Sequence, residues 1–161
     1  MEKRGLFYYN SLVAARLALA LILFAAPARA ISVQEARDRI VAGTLKYLNV
    51  PYLWGSEHPK TGLDCSSFVR LVYREAGVNL PRVSRDQYKS SVLVPPRQVL
   101  PGDMIFFAMK RPGTARVDHI GIYVGRGYFV HAGVSHGVHI EPISKAYYQD
   151  RLIRVLKYPG F

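Results

Sequence analysis

Cysteine is nearly missing from this chain of 161 residues: there is one, Cys65. No internal disulfide can form, so the fold must rest on its core alone. Acidic residues are few, 11 Asp+Glu against 22 Lys+Arg, which leaves a formal net charge of +11 at pH 7. Such a balance favours anionic polymers: wall glycans, teichoic acids, lipid headgroups or nucleic acid. The cations are scattered singly, as at Arg70, Arg82, Arg97 and Arg126, with no basic helix or nucleic-acid motif, so nucleic acid is not an expected partner. Repeats, low-complexity tracts and linkers are also absent beyond Ala30. No apolar run is long enough to span a bilayer, because the longest, Leu17 to Ala26, is roughly half of the ~20 residues required.

That short run has a different use. Lys3, Arg4 and Arg16 precede it and Ala28-Arg29-Ala30 follows, the basic, apolar and small-residue order of a secretory signal peptide. Residues 1–30 are therefore expected to be a signal peptide cleaved after Ala30, and residues 31–161 one exported domain without stable membrane insertion. The expected location is the periplasm or the extracellular cell wall. No cysteine lies at the cleavage site, so lipoprotein acylation is excluded. In an oxidising compartment a lone thiol is either a reactive group or an inert, buried core residue; its count alone does not choose.

Ser32 with Glu35 forms a capping box ahead of a helical apolar pattern, which predicts a helix over 33–48. After the Gly- and Pro-rich stretch PYLWGSEHPKTGLD, a second helix is predicted over 65–76. Asp64 is placed as its N-cap and Gly77 as its terminator, so Cys65 stands at the positive end of the helix. Beyond Leu100 five short runs read as strands, at 104–109, 119–125, 128–132, 138–143 and 152–158. Helices followed by strands predict an α+β domain with an antiparallel sheet.

A hairpin turning at Gly125-Arg126-Gly127 sets residue 121 opposite 131, which brings His119 and His131 to one face on a diagonal. Asp118 falls on the other face, and Asp103, in Pro-Gly-Asp, is expected to close a turn. A thiol at a helix N-terminus beside an imidazole is expected to ionise, with His119 moving the proton and His131 fixing the ring.

The segments NVPYLWG, GLDCSSFVRLVY, LPRVSRDQ, PGDMIFF and HIGIYVGRGYFVHA resemble, in order, the motifs of the NlpC-type cell-wall cysteine endopeptidases, a branch of the papain-like superfamily. The resemblance spans about Val33 to Lys157. It implies a papain-like fold, with N-terminal helices packed on a central antiparallel sheet. It also implies a peptidoglycan hydrolase that cleaves stem peptides or cross-links with Cys65 as nucleophile, His119 as general base and His131 as the orienting third residue. Tyr52, Asp64 and Ser66 would line the substrate site, with the Cys65 amide and the Tyr52 hydroxyl as oxyanion donors. No cofactor or metal is implied, and placement on the wall would fall to this domain or to an envelope adaptor protein. Ser56 and Ser67 replace glycines usual in the motifs.

Other readings differ in chemistry. Gly133 to Gly137 matches G-x-S-x-G, with Ser135 as nucleophile, but that elbow requires a following helix and a downstream histidine, and His139 is the last in the chain. His119, His131, His136 and His139 lack a recognised zinc spacing. A catalytically inactive wall-binding module, or an amidase or acyltransferase acting on another envelope substrate, would use the same scaffold.

Overall fold

The computed structural model describes residues 31–161, and the expected signal segment lies outside the described residues. Helix α1 (Val33–Lys46) starts as predicted, with the Ser32 side chain accepting from the Glu35 amide at 3.1 Å. It ends two residues earlier than expected. The reason is tertiary: the Asn49 amide donates to the Val138 carbonyl and the Val138 amide to the Val50 carbonyl, both at 2.8 Å, which draws the chain out of the helix.

The stretch after Pro51 is less loop-like than its composition implies. Two-residue strands β1 (Glu57–His58) and β2 (Gly62–Leu63) pair within it and lead into α2 (Cys65–Glu75). A short helix, α3 (Ser84–Lys89), then precedes β3 (Val92–Leu93). The predicted strands follow with slightly moved ends: β4 (Met104–Phe107), β5 (His119–Gly125), β6 (Tyr128–Gly133), β7 (Gly137–Pro142) and β8 (Leu152–Lys157), with α4 (Ala146–Gln149) before the last. They form one antiparallel sheet in the order β3-β8-β4-β5-β6-β7. This is the α+β, papain-like arrangement expected.

Alternation along β4 decides the layers. Met104 and Phe106 join Phe68, Val69 and Val72 of α2 and Ile120, Ile122 and Val130 of the sheet in the main core. Ile105 and Phe107 face the other way, against Phe129 and Tyr148. All four β4 side chains are buried because helices cover one face and α4 shields the other.

Asp103 does close its turn, with the Leu100 amide donating to Oδ2 at 2.8 Å. It also meets a buried cation that the sequence did not announce. Arg37 Nη1 lies 2.8 Å from Asp103 Oδ1 and donates to the Pro101 carbonyl at 2.9 Å, pinning α1 to the entry of β4.

Candidate active site

The start of α2 is built around Asp64. Its Oδ1 accepts from the Ser67 amide at 2.7 Å, the N-cap bond expected, and from the Ser66 hydroxyl at 3.0 Å. Arg82 adds a two-pronged contact, Nη1 to Oδ1 at 3.1 Å and Nη2 to Oδ2 at 2.6 Å, while its Nε reaches Glu57 at 2.6 Å. Burial works against this carboxylate, but the hydrogen bonds from Arg82, Ser67 and Ser66 prevail and hold its pKa below the ordinary value.

Cys65 follows directly, 5% exposed, and lines a cavity of about 520 Å³ together with Asp64, Ser66 and Ser84. Its thiol is largely buried, at the edge of the main core. It is less acidic than the helix position implied. The amides of Ile120, Ser66 and Cys65 favour the thiolate, but burial and then the Asp64 charge outweigh them and push the thiol up to about 12. Burial likewise lowers His119 to about 4. Both shifts favour the neutral thiol and the neutral imidazole over the ion pair expected.

His119 opens β5 and His131 lies in β6, on the face that also carries Phe107 and Phe129. The register Ile122↔Val130 confirms the hairpin argument, and a bulge after Tyr123 takes up the turn. His119 Nε2 lies 2.7 Å from His131 Nδ1, with the rings edge to face. Two glycines make room for this: a Cβ on Gly121 would stand 3.2 Å from His131 Cβ, and one on Gly133 3.0 Å from His131 Cε1. Burial and then the His119 and His139 charges keep His131 far below the usual histidine range.

The pair does not end at His131. Its Nε2 lies 3.3 Å from the Tyr148 hydroxyl, which burial and then the Glu141 charge push up to about 12. With the His119 proton on Nε2, donated to His131 Nδ1, a lone pair is left on His119 Nδ1.

The start of α2 packs against β5, whose Ile120 amide, next in chain to His119, favours the thiolate. Among the described residues no direct hydrogen bond joins the sulfur to the ring. His119 lines a second cavity of about 560 Å³, shared with His131, Tyr148 and Tyr52. Trp54 and Lys110 line both cavities, the Lys110 ammonium sitting 5.3 Å from the Trp54 ring centre, so this pair stands where the two halves of the groove meet. Tyr52 is half-buried; burial and then the Cys65 and Asp64 charges push its hydroxyl up to about 12, so it remains a donor. Asp118 is excluded from the histidine pair as expected, accepting from the Met109 and Lys110 amides at 2.6 and 3.0 Å.

The profile of the NlpC/P60 family matches residues 49–157, a span that holds α2, His119 and His131. The chain belongs to the NlpC/P60 family. It is 33% identical over 116 residues to the bifunctional muramidase/DL-endopeptidase CwlT of Bacillus subtilis (strain 168), covering 72% of this chain and 35% of that protein. It is 30% identical over 132 residues to the murein DD-endopeptidase MepH of Escherichia coli (strain K12), covering 80% of this chain and 48% of that one. Among solved structures, an NLP/P60-family protein similar to lipoprotein from Staphylococcus aureus superposes with a TM-score of 0.70 at 33% identity, over 83% of this chain and 44% of that one. The chain thus spans between about a third and a half of these relatives.

Within this NlpC/P60 domain the rival nucleophile finds no support. Ser135 is exposed in the turn between β6 and β7, and a strand follows it rather than a helix. His139 bonds the Gly137 carbonyl at 2.8 Å and lies 3.4 Å from Glu141. Sequence reasoning did not single out Arg82, Tyr148 or Glu141. Arg82 sits in the quoted LPRVSRDQ segment and was legible there; Tyr148 is brought to His131, and Glu141 to His139, only by the fold.

Proposed function

We propose that this chain is an exported, thiol-dependent endopeptidase of peptidoglycan peptides. The single observation that carries it is the placement of the only cysteine at the start of α2, beside a strand whose first residue, His119, bonds His131 at 2.7 Å. The names of the relatives, which include DL- and DD-endopeptidases of the wall, support the substrate class. The basic, apolar N-terminal segment and those relatives support an envelope location.

In the reaction, Cys65 Sγ attacks the amide carbonyl while its proton passes to His119 Nδ1. A thiol near 12 and an imidazole near 4 leave almost no thiolate beforehand, so proton transfer accompanies attack rather than preceding it. The Cys65 amide and the Tyr52 hydroxyl receive the developing oxyanion, a type of contact worth ~3 kcal/mol in a transition state. His119 then protonates the leaving amine, and water releases the thioester.

Iodoacetamide should abolish digestion of purified peptidoglycan, and a chelator such as EDTA should not; the reverse pattern would replace the thiol reading with a metal one. In the free enzyme, alkylation should speed up about tenfold per pH unit between about pH 6 and 9, following the small thiolate fraction of a high-pKa thiol. A plateau across that range would mean that the pair rests ionised. Tyr148→Phe should lower kcat and leave KM little changed, because His131 loses the partner that orients it; an unchanged kcat would remove Tyr148 from the relay.

A further inference from the structure

A third histidine stands beside the His119–His131 pair. His139, in β7, lies directly opposite His131 across the β6–β7 ladder, and the two ring centres are 4.4 Å apart. Gly133 makes the room for both rings: a Cβ there would stand 2.9 Å from His139 Cε1 and 3.0 Å from His131 Cε1. The reacting unit itself has no group that changes charge between about pH 5 and 8, with Cys65 pushed up to about 12 and His119 lowered to about 4. His139 supplies one next to it.

The ring is held so that it can carry a proton on each nitrogen without turning. Its Nδ1 lies 2.8 Å from the Gly137 carbonyl, which only accepts, and its Nε2 lies 3.4 Å from Glu141 Oε1. The side chain is 19% exposed and lines the same cavity as His119, so solvent protons reach it. The titratable and charged groups around it are His131 on β6, His136 in the turn before β7 with ring centres 5.3 Å apart, Glu141 on β7, and Lys145 and Tyr148 at α4. Lys145 already pairs with Glu141, so a second proton on His139 adds net positive charge against His131. His131 in turn bonds His119, which must become cationic when it takes the Cys65 proton. A like charge nearby opposes that step, and the His139 charge lowers both His119 and His131.

We propose that His139 is a positioning residue that makes the His119–His131 pair acid-sensitive: once protonated, it sets a positive charge against His131 and slows transfer of the Cys65 proton to His119. The effect on turnover rests on the proposed function, whereas the coupling of the three rings stands without it.

The test compares the wild type with His139→Gln. Imidazole ¹⁵N spectra of the wild type, recorded from about pH 8 downwards, should show His139 taking its second proton before His119 or His131 does. In His139→Gln, His119 should protonate at least about half a pH unit higher, because a neighbouring positive charge is gone. Between about pH 8 and 5, turnover of soluble muropeptides should fall about threefold less in His139→Gln than in the wild type, the same half unit read as a rate. His139→Asn repeats both measurements should His139→Gln melt at a lower temperature. A His119 titration equal to that of the wild type, or an equal fall in turnover, would overturn the inference. Failure of the wild type to digest purified peptidoglycan would instead sink the endopeptidase reading, and the ring titrations would still decide the coupling.

Discussion

Cys65→Ala and His119→Ala should each reduce release of new amines from purified peptidoglycan to the blank rate, a loss of at least about 10⁴-fold in kcat, because in the proposed reaction the two residues act as one unit. Their effects should not add: the double variant is no worse than either single one. His131 behaves differently. His131→Asn keeps an acceptor for the His119 Nε2 proton and should retain a measurable fraction of turnover, whereas His131→Ala leaves that nitrogen without its partner at 2.7 Å and should fall by about 10² or more. Equal loss in Asn and Ala would remove the orienting role. Folding is checked separately by melting temperature, since His131 is buried and its removal opens space beside Phe129 and Tyr148.

Arg37→Ala is expected to produce the largest loss of stability outside the apolar core. The Arg37 and Asp103 side chains are 6% and 0% exposed, and the guanidinium also lies 5.0 Å from the Phe161 ring centre. Removing the cation leaves the Asp103 carboxylate buried without a counter-charge and the Pro101 carbonyl without its donor. Breaking a buried pair in this way costs about 3–5 kcal/mol, readable as a lower urea midpoint. The control is Arg37→Met/Asp103→Asn. It removes both charges, retains an acceptor for the Leu100 amide, and should recover most of the loss. A cost below about 1 kcal/mol for Arg37→Ala would show that water reaches the carboxylate and that the pair acts as a surface bridge.

These two sites differ in how far the sequence exposes them. The Asp64 cap and the helix behind it are local: the carboxylate bonds an amide three residues on, so composition and spacing were enough. The histidine pair was also legible, because a tight turn at Gly125 to Gly127 fixes the register of both strands. Pairings across the fold were not. Arg37 finds the Pro101 carbonyl over 64 positions of sequence, and Tyr148 reaches His131 from a helix too short to carry an apolar period. The two-residue strands β1 and β2 were hidden for the same reason.

The state of the thiol was the least legible property of all. Helix position and neighbouring amides pull its pKa down, and both can be read from a sequence. The opposing pull is burial, and it depends on how closely β5 and α2 pack. Here burial prevails, and the thiol is pushed up to about 12.

The most direct test of the central claim is mass spectrometry of muropeptides after digestion of purified peptidoglycan by the wild type and by Cys65→Ala. The account predicts stem-peptide fragments with a newly freed amine from the wild type and an untouched profile from the variant. The same fragments from the Cys65→Ala protein would contradict it.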